Sequence, residues 1–345
     1  MRTVTIGESN PILGIKNTLD IRSIKNYHIS VKYSEEPFKV SLLTANDLYE
    51  IQQADVCFIF GTWGSTNFNR VWHPTNNIRR QAWVENINTF FTNILNSYNK
   101  KFIVFETGTL CRIRNTMSDV NGMSWKDSTP LYYRMGLNHW TYGKAKFCKP
   151  KTDRLEIYIK NNLEFSSIFK NQFNNHTWQN NKDGDIIICP GLENDPTATK
   201  PVEQFVEDSY TKIREHTDRN IFVKPHPGSL LDYSKYDEID KKTPLKNLKE
   251  RLYCAVLDNS TSIFELTFLG IPCFTSSANF GYKLKNNDLS KINDIYYADK
   301  YEMKQWYNEM AHTEFTFAEI STTHRTKTDI SVSYTHLTLP TTPYV

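Results

Sequence analysis

Short apolar runs alternate with longer amphipathic stretches along nearly the whole chain. In the N-terminal half the runs Thr3–Ile6, Ile29–Tyr33, Val56–Phe60 and Phe102–Phe105 predict strands. Between the last two, Trp83, Ile87, Phe90, Phe91, Ile94 and Leu95 recur at helical spacing, which predicts a helix over Asn77–Tyr98 with one buried stripe. The C-terminal half repeats the pattern. A strand is expected at Asp185–Cys189, and a helix at Pro201–His216 with Val202, Phe205, Val206 and Ile213 on one face. Strands at Asn220–Val223 and Tyr253–Leu257, a helix at Ser262–Leu269 and a strand at Ile271–Phe274 follow. Strands separated by helices imply parallel sheets covered on both faces. The expected fold class is therefore α/β, with two Rossmann-like doubly wound domains facing a cleft.

The domain boundaries follow from composition. Residues 1–155 form the first unit, 156–182 a linker within the polar, Asn-rich stretch Pro150–Asn181, and 183–330 the second unit. Residues 331–345 carry no charge and fit no preceding element. They resemble the adapter read-through that ends many reading frames assembled from environmental DNA, and are set aside as a non-native tail whose removal should leave stability unchanged.

The 345 residues, 39% hydrophobic and 23% charged, suffice for two cores and do not have the composition of a disordered chain. No run of 18 apolar residues occurs, and the start Met-Arg-Thr-Val-Thr-Ile-Gly lacks a signal-peptide pattern, so a cytoplasmic protein is expected. None of the six cysteines forms a C-x-x-C pair. Cys57, Cys189, Cys254 and Cys273 fall in or beside strand-like runs, which points to buried thiols. The net charge of +3 conceals an asymmetry: residues 1–155 hold about 20 Lys and Arg against about 12 Asp and Glu. An N-terminal half that meets something anionic is one reading of this, and ordinary fluctuation of surface charge is the other.

Three loops carry candidate chemistry. The strand ending at Val223 runs into Lys224-Pro225-His226-Pro227-Gly228-Ser229, where a rigid turn would hold a cation and an imidazole at the carboxyl end of a parallel strand, the usual place for a ligand. The strand ending at Leu257 runs into Asp258-Asn259-Ser260-Thr261-Ser262, which opens a helix and offers hydroxyl and N–H donors to an anion; Gly270 and Pro272 then stop that helix. Ser262-x-x-Glu265 also has the form of a capping box, so these two residues either close the helix end or meet a ligand, Glu265 through a ribose hydroxyl. After Cys189, Pro190-Gly191-Leu192-Glu193 lies at the switch point of the second unit, and Gly191 allows close approach of backbone to ligand.

Lys-Pro-His-Pro followed by Asn-Ser-Thr-Ser, Glu265 and Gly-Ile-Pro resembles the HP and serine motifs of capsule-type and sialyl-type GT-B glycosyltransferases. The resemblance implies that His226, Ser260, Thr261 and Ser262 hold the phosphates of a nucleotide-sugar donor, such as a UDP-sugar, with no metal required. Lys224, Gly191 and Glu265 complete the expected donor site. The same families carry two acids and a glycine on the N-terminal domain, the second acid acting as general base. The nearest match here is Phe105-Glu106-Thr107-Gly108, with Thr107 in the second acid's place. Glu106 is the base candidate, and His139, Asp119 and Asp127 are rivals.

Aromatic and basic residues interleave from Leu131 to Lys151. Arg112, Arg114, Arg134, His139, Trp140, Lys144 and Lys146 are candidates for an acceptor surface that stacks bases and contacts phosphates, and core packing with a basic rim is the plainer alternative. With the basic N-terminal half, and a whole chain that resembles phage-encoded glycosyltransferases, this stretch points to DNA carrying hydroxymethylcytosine or hydroxymethyluracil as acceptor. A surface or capsule polysaccharide is the alternative acceptor. A sugar-nucleotide epimerase and a nucleotide- or nucleic-acid-binding module are the alternatives of other classes.

Overall fold

The computed structural model describes residues 2–7, 10–21, 23–30, 43–60, 69–72, 79–82, 93–107, 132–137, 176–193, 198–277, 279–311 and 314–316. Within them lie two predominantly parallel sheets. In the first, β1 (Arg2–Ile6) pairs in parallel with β2 (Lys25–Ile29) on one side and β3 (Val56–Phe60) on the other. Two short strands, β4 (Asn69–Trp72) and β5 (Arg79–Ala82), pair separately and antiparallel. Next, β6 (Lys101–Thr107) pairs in parallel with β3, and β7 (Tyr132–Leu137) runs antiparallel to β6.

Helices α1 (Asn10–Ile21) and α2 (Ala45–Gln53) follow β1 and β2. One sheet face packs Val4, Ile6, Cys57, Ile59, Phe102 and Val104 against Ile51 of α2 and Leu95 of the helical stretch 93–97. These alternate positions share a face because strand side chains have a period of two. Two expectations change here. The second strand is Lys25–Ile29 rather than Ile29–Tyr33, because its residues are mostly half-exposed and only Ile29 is fully buried. Residues 79–82 form a strand and not the start of a helix; the apolar stripe that predicted the helix begins only at Trp83, so Asn77–Ala82 had no periodicity of its own.

The second sheet holds β8 (Asp185–Cys189), β9 (Ile221–Val223), β10 (Asp237–Glu238), β11 (Leu252–Leu257) and β12 (Cys273–Thr275), all parallel, in the order β10-β9-β8-β11-β12. Every residue of β8 and β11 is buried, as central strands covered on both faces require. Ile186, Ile188, Cys254 and Val256 face α3 (Val202–Arg214), whose Val202, Phe205, Val206 and Ile213 form the matching stripe. Ile187, Cys189, Ala255 and Leu257 face α4 (Ser262–Phe268) and α5 (Lys300–Ala311) through Phe264, Phe268, Met303 and Tyr307. Burying each such side chain contributes about 1.5–3 kcal/mol, which makes these two layers the main support of the second sheet.

Residues 176–181, assigned to the linker above, pack on this unit: Trp178 donates from Nε1 to Ala298 O at 2.7 Å and leans on the α5 side of the core. The chain ends its described course at β13 (Glu314–Thr316), antiparallel to β7 in the first sheet. A single boundary near residue 182 does not anticipate that return. Cys57, Cys189, Cys254 and Cys273 are free and buried. No helix among the described residues is long and apolar enough to cross a membrane.

Helix α4 ends as its sequence dictates. Gly270 has φ +79°, Gly270 N–H donates to Thr267 O at 2.9 Å and Ile271 N–H to Leu266 O at 2.9 Å, the paired bonds of a Schellman motif. A Cβ at Gly270 would also lie 2.5 Å from Thr177 O. Gly270→Ala is therefore expected to lower unfolding free energy by about 2 kcal/mol through left-handed strain and the clash. Denaturant titration checks this, and an unchanged midpoint would show that the 176–181 segment yields without cost.

Candidate functional site

Strand order in the second sheet reverses between β8 and β11, and a doubly wound sheet opens its ligand crevice at the carboxyl ends of the strands flanking that reversal. Two of the three loops singled out in the sequence, those after β8 and β11, leave the sheet there. They touch: a Cβ at Gly191, after β8, would run into Asn259 Oδ1, after β11. The glycine is needed for two loops to meet this closely.

Neighbouring β9 brings in the His-Pro turn. Lys224 N–H donates to Ile188 O at 2.9 Å, continuing the pairing with β8 one residue past the strand. Ser229 N–H donates to His226 O at 2.8 Å, closing a turn with Pro227 at its second position, where a fixed φ suits it. Gly228 N–H donates to His226 Nδ1 at 3.0 Å. A ring nitrogen that accepts carries no proton, so in the neutral ring Nε2 carries it and acts as donor. The half-buried imidazole thus has its tautomer set by its own turn.

Lys224 behaves differently from an exposed finger. It is 8% exposed, and Nζ donates to Lys241 O at 3.1 Å, while Lys241 Nζ returns to Ser229 O at 2.9 Å. The two lysines cross-brace the turn. Glu265, on α4, lies within the field of Lys224 and of Lys246; burial nevertheless pushes its carboxyl above the usual range.

The serine loop is also braced from below. Ser260 Oγ donates to Ser262 Oγ at 3.0 Å, and Asn279 Nδ2 donates to Ser260 O at 3.0 Å. Asn279 is 1% exposed and accepts Gly281 N–H at 2.9 Å through its Oδ1. The capping box does not form: Thr261 is the N-cap residue and makes no side-chain cap hydrogen bond. Because α4 has only seven residues, its dipole is weak, and with the Ser260 proton given to Ser262 the hydroxyls of Thr261 and Ser262 are the stronger anion donors.

Two acidic residues at this edge escaped the functional reading of the sequence. Asp258, 2% exposed, accepts Thr199 N–H at 2.9 Å through Oδ2, and through Oδ1 accepts Thr199 Oγ at 2.6 Å and Ser276 Oγ at 2.5 Å. It ties the β8–α3 connection to the ends of β11 and β12. Glu193, 5% exposed, accepts Ser229 Oγ at 2.5 Å, Leu230 N–H at 2.8 Å and Leu231 N–H at 3.0 Å. Burial opposes its charge, but these bonds and its own backbone N–H outweigh burial and hold the carboxyl below its usual range.

A cavity of about 510 Å³ lies beside α3 over Val256, Leu257 and Phe274, bordered by Thr199 and Ser276 of the Asp258 tie. It contains none of the residues chosen from the sequence. Its lysines, Lys200 and Lys212, are paired with Asp208 at 2.7 Å and Glu215 at 2.6 Å. The switch-point crevice, with His226 and the hydroxyl loop, is better equipped for a phosphate.

Gly191, Lys224, His226, Ser260, Thr261, Ser262 and Glu265 therefore all sit at one edge of the second sheet. Glu106 lies in β6 of the first sheet, in register with Arg134 of β7. Arg112, Arg114, His139, Trp140, Lys144 and Lys146, with Asp119 and Asp127, lie outside the described residues, as does the 331–345 tail.

No protein-family model matches the sequence, and no curated protein matches it. Among solved structures, the chain is similar to a Thermosulfurimonas dismutans KpsC beta Kdo 2,4 transferase, at 10% identity over 90% of this chain and 89% of that one, with TM-score 0.45. It is similar to a beta Kdo 2,7 transferase, also KpsC of that organism, at 11% identity over 92% and 97%, with TM-score 0.46. A UDP-GlcNAc 2-epimerase of Methanocaldococcus jannaschii, solved with UDP-GlcNAc and UDP, aligns at 13% identity over 90% and 93%, with TM-score 0.27. All three scores lie below 0.5, so the functional weight falls on the chain's own loops.

Proposed function

We propose that the chain is a glycosyltransferase that takes a sugar from a nucleotide-sugar donor held at the switch point of the second sheet. The observation that carries this is the His226 turn, in which Gly228 N–H occupies Nδ1 and so places the ring proton on Nε2, at the same sheet edge as the hydroxyl loop 260–262. A fixed donor aimed where negative charge grows on a leaving phosphate needs no reorganisation during the reaction. Lys224 adds a buried positive charge behind the turn. Glu106 supplies the base that takes the acceptor hydroxyl's proton, in a single displacement with inversion.

The motif resemblance to capsule-type and sialyl-type enzymes favours a carbohydrate hydroxyl as acceptor. Six of the seven residues put forward for DNA contact lie outside the described ones, and the seventh, Arg134, is placed only by its strand register, opposite Glu106 and Glu314. The DNA reading therefore gains no support here.

A melting-temperature screen against UDP-, GDP- and CMP-sugars is the first test. A donor present at 100 times its dissociation constant should add about 2.7 kcal/mol of stability. The shifting donor is then offered with surface oligosaccharides and with DNA containing hydroxymethylcytosine, and products are weighed. Transfer to the oligosaccharide alone is expected. Mass addition to DNA nucleosides would instead reinstate DNA as acceptor, and release of nucleotide with an isomerised sugar and no acceptor would replace the transferase by an epimerase.

A further inference from the structure

The turn that sets His226 does not hold itself. Three donors just beyond it, Ser229 Oγ, Leu230 N–H and Leu231 N–H, converge on one oxygen, Oε1 of Glu193, which belongs to the other loop of the crevice. The two loops also meet at Leu192, whose Cδ1 lies 3.4 Å from where a Cβ on Gly228 would be. A hydroxyl and two consecutive backbone amides fix both the position and the direction of the chain leaving the turn. Ser229 N–H closes the same turn onto His226 O, and Gly228 N–H reaches the ring, so a displaced exit moves both bonds.

We infer that Glu193 is a positioning residue for His226: it locks the exit of the His-Pro turn and thereby the tautomer and aim of the imidazole. The inference rests on the reading of His226 as a phosphate ligand. It adds a second consequence, that the β8 loop acts on the donor indirectly, through β9.

Three variants separate the possibilities. Ser229→Ala removes one donor and leaves the backbone bonds. Glu193→Gln keeps an acceptor oxygen. Glu193→Ala removes the acceptor, so that Leu230 N–H loses its partner and Leu231 N–H keeps only Ser229 Oγ at 3.2 Å. Nitrogen-15 NMR of histidine-labelled protein, at a pH where the ring is neutral, should show His226 with Nδ1 unprotonated in the wild type. A mixture of tautomers is expected in Ser229→Ala and, where it folds, in Glu193→Ala, with the wild-type pattern kept in Glu193→Gln.

Affinity for CDP, UDP and GDP should fall about tenfold in Ser229→Ala, and the same substitution made in His226→Ala should cost nothing further. An unchanged His226 pattern in both Ser229→Ala and Glu193→Ala overturns the inference. So does a loss of affinity in the His226→Ala background equal to that in the wild type. If the wild type binds none of these nucleotides, the proposed function fails instead, and the NMR arm still decides whether Glu193 positions the ring.

Discussion

His226→Ala is expected to weaken binding of the donor nucleotide by about tenfold to a hundredfold, the loss of one hydrogen bond to a charged group, or about 1.5–3 kcal/mol. Its effect on folding should be under about 1 kcal/mol, because the side chain is half-buried and carries no packing layer. The bonds that anchor the turn remain: Glu193 keeps Ser229, Leu230 and Leu231, and the Lys224–Lys241 brace is untouched. Calorimetric titration of the nucleotide beside a melting curve separates the two quantities. A variant with full affinity would move the donor away from the switch point. One that fails to fold would make the imidazole a structural group.

The second sheet was legible because its strands are continuous apolar runs cut off by strong punctuation. Cys189 is followed by Pro190-Gly191, Val223 by Lys224-Pro225, and the α4 helix by Gly270, whose positive φ few other residues tolerate. The loops that follow such strands must lie at the carboxyl edge of a parallel sheet, so the sequence alone places their chemistry there.

The first sheet was less legible for a physical reason. Lys25–Ile29 reads Lys-Asn-Tyr-His-Ile and buries only its last residue, so apolar runs alone start the strand where it ends. At Glu314–Thr316 a three-residue edge strand carries too little pattern to be read at all. Residues 79–82 show that extrapolating a helical stripe beyond its own apolar positions is unsafe. Glu193 and Asp258 were in view, inside loops already singled out, yet their roles were not. Their donors lie between 18 and 59 residues away in sequence, and only the fold brings them together.

Asp258→Ala is the substitution expected to damage the second unit most. The side chain is almost wholly buried at the end of the central strand β11 and receives three hydrogen bonds. Its removal leaves Thr199 N–H without that acceptor and cuts the tie between the β8–α3 connection and the end of β12. Each such bond is worth about 1.5 kcal/mol or more to a charged acceptor, but Thr199 is exposed and water can replace part of the loss. A decrease of about 3 kcal/mol in unfolding free energy is therefore expected, with a smaller one for Asp258→Asn, whose amide oxygen still accepts but whose NH₂ cannot accept from Thr199 N–H. Because the next residues are Asn259, packed against Gly191, and the hydroxyl loop, nucleotide affinity should fall together with stability. That joint loss distinguishes Asp258 from His226, where affinity falls alone. Denaturant unfolding gives the first quantity. Hydrogen exchange at residues 198–200 locates it, since loss of the tie should speed exchange there while β8 and β11 stay protected. An Asp258→Ala protein that unfolds at the wild-type midpoint, with unchanged exchange at 198–200, would show that the connection is held by α3 packing alone.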